Sequence, residues 1–180
     1  MQREAGPLSL PNLITLLRLC AVPAAVWLII KGRLDLAFFV FVGAGVSDAL
    51  DGWIARRWHL RSALGALLDP VADKALLVSV YVTLALIGVL PDWLAILVVF
   101  RDAVIMGGVV VFFLLGQPRP IEPILISKAN TALQIGLAAL ALLLAGFGLE
   151  AAGLLEALVW AVAATTLASG AAYVWRALAR

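Results

Sequence analysis

The stretch between Asp48 and Asp73 carries the residues of this sequence that are best suited to chemistry. Asp48 and Asp51 are three positions apart, and Asp69 and Asp73 are four positions apart. On a helix, either spacing places both carboxylates of a pair on one face. Because carboxylates that share a site repel one another, this stretch predicts bound divalent cations. Oxygen ligands without thiols or clustered histidines favour Mg²⁺ or Mn²⁺, and two such ions can activate a phosphoryl group.

Small residues and one arginine accompany the carboxylates. Gly52 and Gly65 each lie within about one helical turn of an aspartate, and Ala55 follows Asp51 by four positions. Their missing or short side chains would let a phosphate-bearing group approach the backbone closely. Arg56 can neutralise a diphosphate through paired hydrogen bonds, since its guanidinium is planar and permanently charged. The alternative interpretation is that the small residues serve helix packing and that Arg56 is a topology charge.

The composition indicates which elements must position these residues. The chain has 180 residues, of which 64% are hydrophobic and 13% charged, and its mean hydropathy is +1.10. A soluble domain would carry about 25% charged residues. The sequence therefore predicts a single all-α integral membrane domain over residues 1–180. The net charge of +2 gives no indication of nucleic-acid binding, and the single cysteine excludes an intrachain disulfide.

Six apolar runs have about the 20 residues that a helix needs to cross a bilayer. After a short N-terminal surface segment, these predicted transmembrane helices cover residues 13–30, 34–58, 63–90, 93–115, 127–147 and 151–177. An even number of spans places both termini on one side of the membrane. The other side holds Lys31 and Arg33, whereas the side of the termini holds Arg3, Arg56, Arg57, Arg61, Arg119, Lys128, Arg176 and Arg180. The positive-inside rule therefore predicts cytoplasmic termini.

The connection between the second and third predicted helices is short. Such a connection predicts that the two helices are antiparallel neighbours. The two aspartate pairs would then face each other across one gap, near the cytoplasmic surface of the membrane. The sequence thus predicts a metal site that opens to the cytoplasm.

The motif from Asp48 to Asp73 reads DxxDGxxAR and, after eight residues, GxxxDxxxD. It resembles the signature of the CDP-alcohol phosphatidyltransferase family at every fixed position. The resemblance implies a six-helix membrane enzyme, usually a homodimer, that moves a phosphoryl-bearing group from a CDP-linked substrate to a hydroxyl and releases CMP. It implies that the metal ligands are Asp48, Asp51, Asp69 and Asp73, the last also acting as general base. The residues implied to line the CDP-diacylglycerol site are Gly52, Ala55, Arg56 and Gly65.

Stretches outside this motif, within about residues 11–140, are similar to the cardiolipin synthases of the CDP-alcohol type. This likeness implies phosphatidylglycerol as the acceptor and cardiolipin as the product. Phosphatidylglycerophosphate synthases share several of the stretches and use glycerol 3-phosphate, so that acceptor stays the alternative. In those relatives we expect Arg-Glu where this chain has Arg101-Asp102. The further residues predicted to line the site are Asn12, Thr15, Arg18, Arg61, Ser62, Lys74, Asn130 and Thr131.

Arg101 and Lys128 are predicted to bind the phosphate of the acceptor. Charged residues within spans are costly and commonly mark functional sites, and Lys128 lies near the start of the fifth predicted helix, whose N–H groups favour an anion. The alternatives are a self-neutralising pair between Arg101 and Asp102 and a simple topology charge at Lys128. Likewise, Asn12, Thr15 and Arg18 share one face of the first helix and could form a packing stripe instead.

Two other classes of protein use charged residues within a membrane. A transporter would use them along an ion path, but the carboxylate pairs with adjacent glycines and the absence of an internal repeat argue against it. A prenyltransferase would have well-separated aspartate motifs, whereas one short connection joins these two. The Arg-rich, Lys-poor composition favours a bacterial inner membrane as the location, with the mitochondrial inner membrane as the alternative.

Overall fold

The computed structural model describes residues 10–58, 63–114 and 125–178 of the chain, and it describes the side chains of residues 16–47, 74–108, 125–173 and 175. Within these ranges α-helix is the only regular secondary structure, without β-strands, which confirms the prediction of an all-α chain. The six helices are α1 (Leu10–Ile30), α2 (Leu34–Trp58), α3 (Ala63–Leu86), α4 (Asp92–Leu114), α5 (Leu125–Phe147) and α6 (Ala152–Leu178).

Glycines in the left-handed region end three of these helices, at Gly32, Gly88 and Gly148, with φ of 71°, 75° and 63°. After α3, Gly88 N–H donates to the carbonyl of Ala85 and Val89 N–H donates to the carbonyl of Leu84, both at 2.9 Å. These bonds satisfy carbonyls that the end of a helix leaves without partners. Helix α3 therefore ends at Leu86, and the predicted end at residue 90 is wrong.

The helices contact one another in the ring order α1–α3–α4–α6–α5–α2, which closes where α2 packs on α1, and α3 and α5 also touch across the interior. In the described contacts, α1 packs against both α2 and α3. The prediction that α2 and α3 are antiparallel neighbours stays a prediction, because the side chains of residues 48–73, where the short connection joins the two helices, lie outside the described part of the structure. The two helices that carry the aspartates flank α1, and a cavity has walls from both of them.

The contact between α2 and α5 depends on one glycine. A Cβ built on Gly146 would lie 2.6 Å from the backbone nitrogen of Asp35 and 2.7 Å from the carbonyl carbon of Leu34. The two backbones can approach this closely only because Gly146 has no side chain. The ring of Phe147 next to it packs edge-on against Phe38 and Phe39, with ring centroids 6.3 Å and 6.2 Å apart. This end of the molecule is therefore firmly packed.

Two of the described helical segments are long and apolar enough to cross a membrane, Leu125–Phe147 and Ala152–Tyr173, with mean hydropathies of 1.7 and 1.5. Large apolar side chains also cover much of the outer surface, for example Leu86 and Leu125, which are 79% and 82% exposed. Both observations are consistent with a membrane protein. The six predicted spans and the side of the termini stay predictions.

Candidate functional site

The four aspartates of the motif lie on two helices. Asp48 and Asp51 are in the second half of α2, and Asp69 and Asp73 are in the first half of α3. Their side chains lie outside the described part of the structure. The same holds for Asn12, Thr15, Gly52, Ala55, Arg56 and Gly65, while Arg61 and Ser62 lie wholly outside the described residues. The ligand, base and nucleotide-binding roles predicted for these residues stay predictions.

A cavity of about 460 Å³ has walls from α1, α2, α3 and α5, the first three helices of the chain and the fifth. On α2 its wall includes Gly45 and Val46, which shortly precede Asp48, and on α3 it begins at Lys74, which follows Asp73. Most of the lining is apolar, and its polar members among the described residues are Arg18, Lys74 and Thr131. The structure thus brings three of the predicted site-lining residues to one cavity.

Arg18 on α1 is 3% exposed, and its aliphatic stem and charged end are enclosed by the helices. Arginine is rarely buried to this degree in a protein interior. Because Arg18 also forms part of the cavity wall, its interior position fits the prediction that the polar face of α1 turns away from lipid. The burial of Arg18 therefore favours a position in the site over contact with lipid. The role of Arg18 within the site stays a prediction.

Lys74 belongs to a charged triad with Asp102 and Arg101. The ammonium of Lys74 lies 2.6 Å from Asp102 Oδ2, and Arg101 NH1 lies 2.7 Å from Asp102 Oδ1. The side chains of Asp102 and Arg101 are 7% and 5% exposed, whereas that of Lys74 is 32% exposed. One carboxylate therefore serves two cations, and Lys74 links the triad to the cavity.

Arg101, on α4, also forms hydrogen bonds with side chains of α5 and α6. Its NH2 group donates to Ser127 Oγ of α5 at 2.5 Å and to Ser169 Oγ of α6 at 2.6 Å, and its guanidinium lies 6.0 Å from the ring centroid of Tyr173. Of the two interpretations of Arg101-Asp102, the ion pair is present in the structure. Contact between Arg101 and an acceptor phosphate stays a prediction.

The start of α5 supplies the remaining predicted polar residues. Lys128 is exposed, and Thr131 lines the cavity while its hydroxyl donates to the carbonyl of Ser127 at 3.1 Å. Asn130 is fully buried, and its Oδ1 accepts hydrogen bonds from the hydroxyls of Thr165 and Thr166 at 2.8 Å and 2.9 Å. In this structure Asn130 therefore contacts α6, whereas Thr131 faces the cavity.

Helix α6 contributes a set of polar residues that were not predicted from its sequence. Thr165, Thr166 and Ser169 bind the side chains of Asn130 and Arg101, and Thr166 and Ser169 are 1% and 0% exposed. Hydroxyl groups spaced one turn apart on an otherwise apolar helix were the available signal, since polar residues within spans usually face other helices.

Carboxylate oxygens are the donors that Mg²⁺ and Mn²⁺ prefer, so the aspartates of α2 and α3 fit such ions by their chemistry. Among the residues whose side chains the structure describes, no group of three or more His, Cys, Asp or Glu assembles. The ammonium of Lys74, next to Asp73 in sequence, is held by Asp102.

Comparison with known proteins agrees with the family resemblance of the motif. A model of the CDP-alcohol phosphatidyltransferase family matches residues 8–168. A human protein named cardiolipin synthase (CMP-forming) is 36% identical over 184 aligned residues, which cover 93% of this chain and 61% of the relative. A Streptomyces coelicolor protein of the same name is 38% identical over 119 residues, which cover 63% of this chain and 55% of the relative.

A relative with another acceptor is similar to nearly the same degree. It is the rice chloroplastic CDP-diacylglycerol–glycerol-3-phosphate 3-phosphatidyltransferase 1, which is 35% identical over 184 residues, covering 92% of this chain and 56% of the relative. The chain thus spans between 55% and 61% of the length of these three relatives. The sequence identity of this chain to the two cardiolipin synthases is therefore only slightly higher than its identity to the rice enzyme.

Proposed function

The chain belongs to the CDP-alcohol phosphatidyltransferase family, and we propose that it transfers the phosphatidyl group of CDP-diacylglycerol to phosphatidylglycerol, giving cardiolipin and CMP. The observation that carries this proposal is the motif from Asp48 to Asp73, which agrees with the family's pattern at every fixed position. Similarity to the human and Streptomyces cardiolipin synthases supports phosphatidylglycerol as the acceptor.

The proposal includes six transmembrane helices, with both termini and the motif facing the cytoplasm. The length and apolarity of α5 and α6 support the spans, and the distribution of lysine and arginine supports the orientation. The membrane is proposed to be a bacterial inner membrane, with the mitochondrial inner membrane as the alternative. The homodimer stays a prediction that rests on the family resemblance.

Asp48, Asp51, Asp69 and Asp73 are proposed to hold two Mg²⁺ or Mn²⁺ ions. When bound, these ions would neutralise the diphosphate and the charge that develops on the departing CMP. The donor chemistry of the aspartates supports this assignment.

The residues of the chain supply the remaining steps. Arg56 and the small residues Gly52, Ala55 and Gly65 would hold the cytidine diphosphate. Asp73 would take the proton from the acceptor hydroxyl. The hydroxyl oxygen then bonds to the phosphorus that carries diacylglycerol, the bond from that phosphorus to CMP breaks, and CMP leaves with the electron pair.

The two residues predicted to bind the acceptor phosphate have unequal support. Lys128 is exposed near the start of α5, where backbone N–H groups favour an anion. The terminal nitrogens of Arg101 already hold Asp102, Ser127 and Ser169. The geometry therefore supports Lys128 more directly than Arg101 as a residue that binds the acceptor phosphate. It supports Arg101 as a residue that positions the start of α5 through Ser127.

Glycerol 3-phosphate is the second candidate acceptor, because the rice relative is named for it. The deciding experiment offers the purified protein CDP-diacylglycerol together with either phosphatidylglycerol or glycerol 3-phosphate at equal concentrations. We expect cardiolipin and CMP from the first pair and little product from the second. Phosphatidylglycerophosphate as the main product would overturn the proposed acceptor while leaving the family's chemistry intact.

A further inference from the structure

We propose that the cavity between α1, α2, α3 and α5 holds an acyl chain of the phospholipid acceptor, and that Lys74 contacts the acceptor's phosphate at the polar end of this cavity. The proposal rests on the proposed function and goes beyond it, because it assigns a place to the lipid part of the acceptor. It also adds Lys74 to the cations expected to meet the acceptor.

The lining of the cavity suits a hydrocarbon chain. Its walls are formed mainly by apolar side chains from three helices, among them Phe41, Val46, Leu76, Leu77 and Ile135. Its volume of about 460 Å³ lies within the range of about 300–1,000 Å³ that is typical of ligand pockets. A polar acceptor such as glycerol 3-phosphate would leave these walls without apolar contacts, whereas an acyl chain would supply them.

The charges at one end of the cavity suit a phosphate. Lys74 and Arg101 contribute two positive charges and Asp102 one negative charge, so the described triad carries one positive charge in excess. A charge enclosed by protein is stabilised by an opposite charge. Lys74 is the member of the triad that lines the cavity, and its side chain is 32% exposed. Asp102 thus fixes the ammonium at the cavity wall, where an anionic headgroup would complete the balance.

The position of the cavity favours the acceptor over CDP-diacylglycerol. Lys74 directly follows Asp73, the proposed base, which must meet the acceptor hydroxyl. In phosphatidylglycerol the reacting hydroxyl and the phosphate belong to one small headgroup. On α2 the described part of the cavity wall includes Gly45 and Val46, which precede Asp48 in the chain, and the residues assigned to the nucleotide, Gly52 to Arg56, follow Asp48.

Two glycines of α2 provide a matched test. Gly45 lines the cavity and Gly43 is not part of its wall, and a Cβ built on either meets nothing within 4 Å. Gly45→Phe should therefore fill the cavity without a backbone clash. We expect it to raise the apparent KM for long-chain phosphatidylglycerol by about tenfold, or about 1.4 kcal/mol. The KM for CDP-diacylglycerol should change little, short-chain phosphatidylglycerol should be used nearly normally, and Gly43→Phe should leave all three values unchanged.

Lys74→Met separates the headgroup contact from the chain contact. We expect it to raise the KM for long-chain and short-chain phosphatidylglycerol alike, since both carry the phosphate. An equal rise in the KM for CDP-diacylglycerol, or a Gly45→Phe variant that acts like wild type on every substrate, would overturn the inference.

Photolabelling of the wild-type protein gives a second measurement that does not depend on the variants folding. Phosphatidylglycerol with a photoreactive group in one acyl chain should label buried residues of the cavity wall, such as Phe41 and Leu77, which are each 5% exposed. Labelling confined to the outer surface of the helices would overturn the inference even if cardiolipin is made. Wild-type protein that makes no cardiolipin would instead overturn the proposed function, so the two failures are distinguishable.

Discussion

Replacing Asp102 by Asn tests the charged triad that joins α3 to α4. Asp102 is 7% exposed on its side chain and lies 2.6 Å from Lys74 Nζ and 2.7 Å from Arg101 NH1. Asparagine has nearly the same shape but no charge, so Asp102→Asn leaves two cations without their shared anion. Arg101, whose side chain is 5% exposed, cannot turn to solvent for compensation.

Breaking a buried ion pair by removing one partner costs about 3–5 kcal/mol. The pair of Arg101 with Asp102 belongs in this class, because both side chains are buried. Lys74 is about one-third exposed, so its part of the interaction belongs nearer the range of about 0–1 kcal/mol that is measured for surface pairs. We therefore expect Asp102→Asn to lower the free energy of unfolding by about 3 kcal/mol, a value dominated by Arg101.

The assay is reversible unfolding in detergent micelles, followed by helical circular dichroism as denaturing detergent is added. Asp35→Asn is the matched control, because Asp35 forms an exposed ion pair with Arg33 at 3.3 Å, and it should lower the free energy of unfolding far less than Asp102→Asn does. Asp102→Glu keeps the charge and should recover part of the stability. If Asp102→Asn unfolds at the same point as Asp35→Asn, the triad does not stabilise the fold and this reasoning is refuted.

Three further predictions concern the base, the metal and the packing of α2. Asp73→Asn should abolish CMP release while nucleotide binding is partly retained, because the acceptor proton then has no base; wild-type turnover in this variant would contradict the assignment. Chelation of divalent cations should stop CMP release, and adding Mg²⁺ or Mn²⁺ should restore it, whereas full activity in chelator would exclude the metal role. Gly146→Ala should destabilise the protein by about 1–3 kcal/mol, because its Cβ would lie 2.6 Å from the backbone nitrogen of Asp35. Gly136→Ala, on the same helix with nothing within 4 Å of the added Cβ, is its control in the same unfolding assay.

The helices were largely predictable because each is a long apolar run. The bounds of α2 agree with the prediction at both ends, from Leu34 to Trp58. The end of α3 was misplaced because residues 87–90 are as apolar as the helix before them. Local hydrogen bonding at Gly88, and not hydropathy, decides where α3 stops.

Lateral packing was less predictable than the helices themselves. A short connection indicates that two helices reverse direction, but it does not fix which helices touch along their length. Here α1 packs against both α2 and α3, and a cavity is lined by both helices. Sequence order alone carries no information on this arrangement, because it results from the fit of side chains across six helices.

The contacts of the polar residues were also only partly predictable from the sequence. The pairing of Arg101 with its neighbour Asp102 was an explicit alternative from sequence, since the two are adjacent. Lys74 and Ser169 come from α3 and α6, and only the tertiary structure brings them to Asp102 and Arg101. The spacing of aspartates predicts a class of chemistry, whereas the acceptor site depends on contacts between distant helices.

The most direct test of the central claim follows the two phosphatidyl groups into the product. Purified protein in liposomes receives CDP-diacylglycerol and phosphatidylglycerol whose acyl chains carry different isotope labels, and the lipids and CMP are quantified by mass spectrometry. The proposed function predicts cardiolipin with one phosphatidyl group from each substrate and one CMP for each cardiolipin. Cardiolipin with both phosphatidyl groups from phosphatidylglycerol, or CMP release without any cardiolipin, would contradict it.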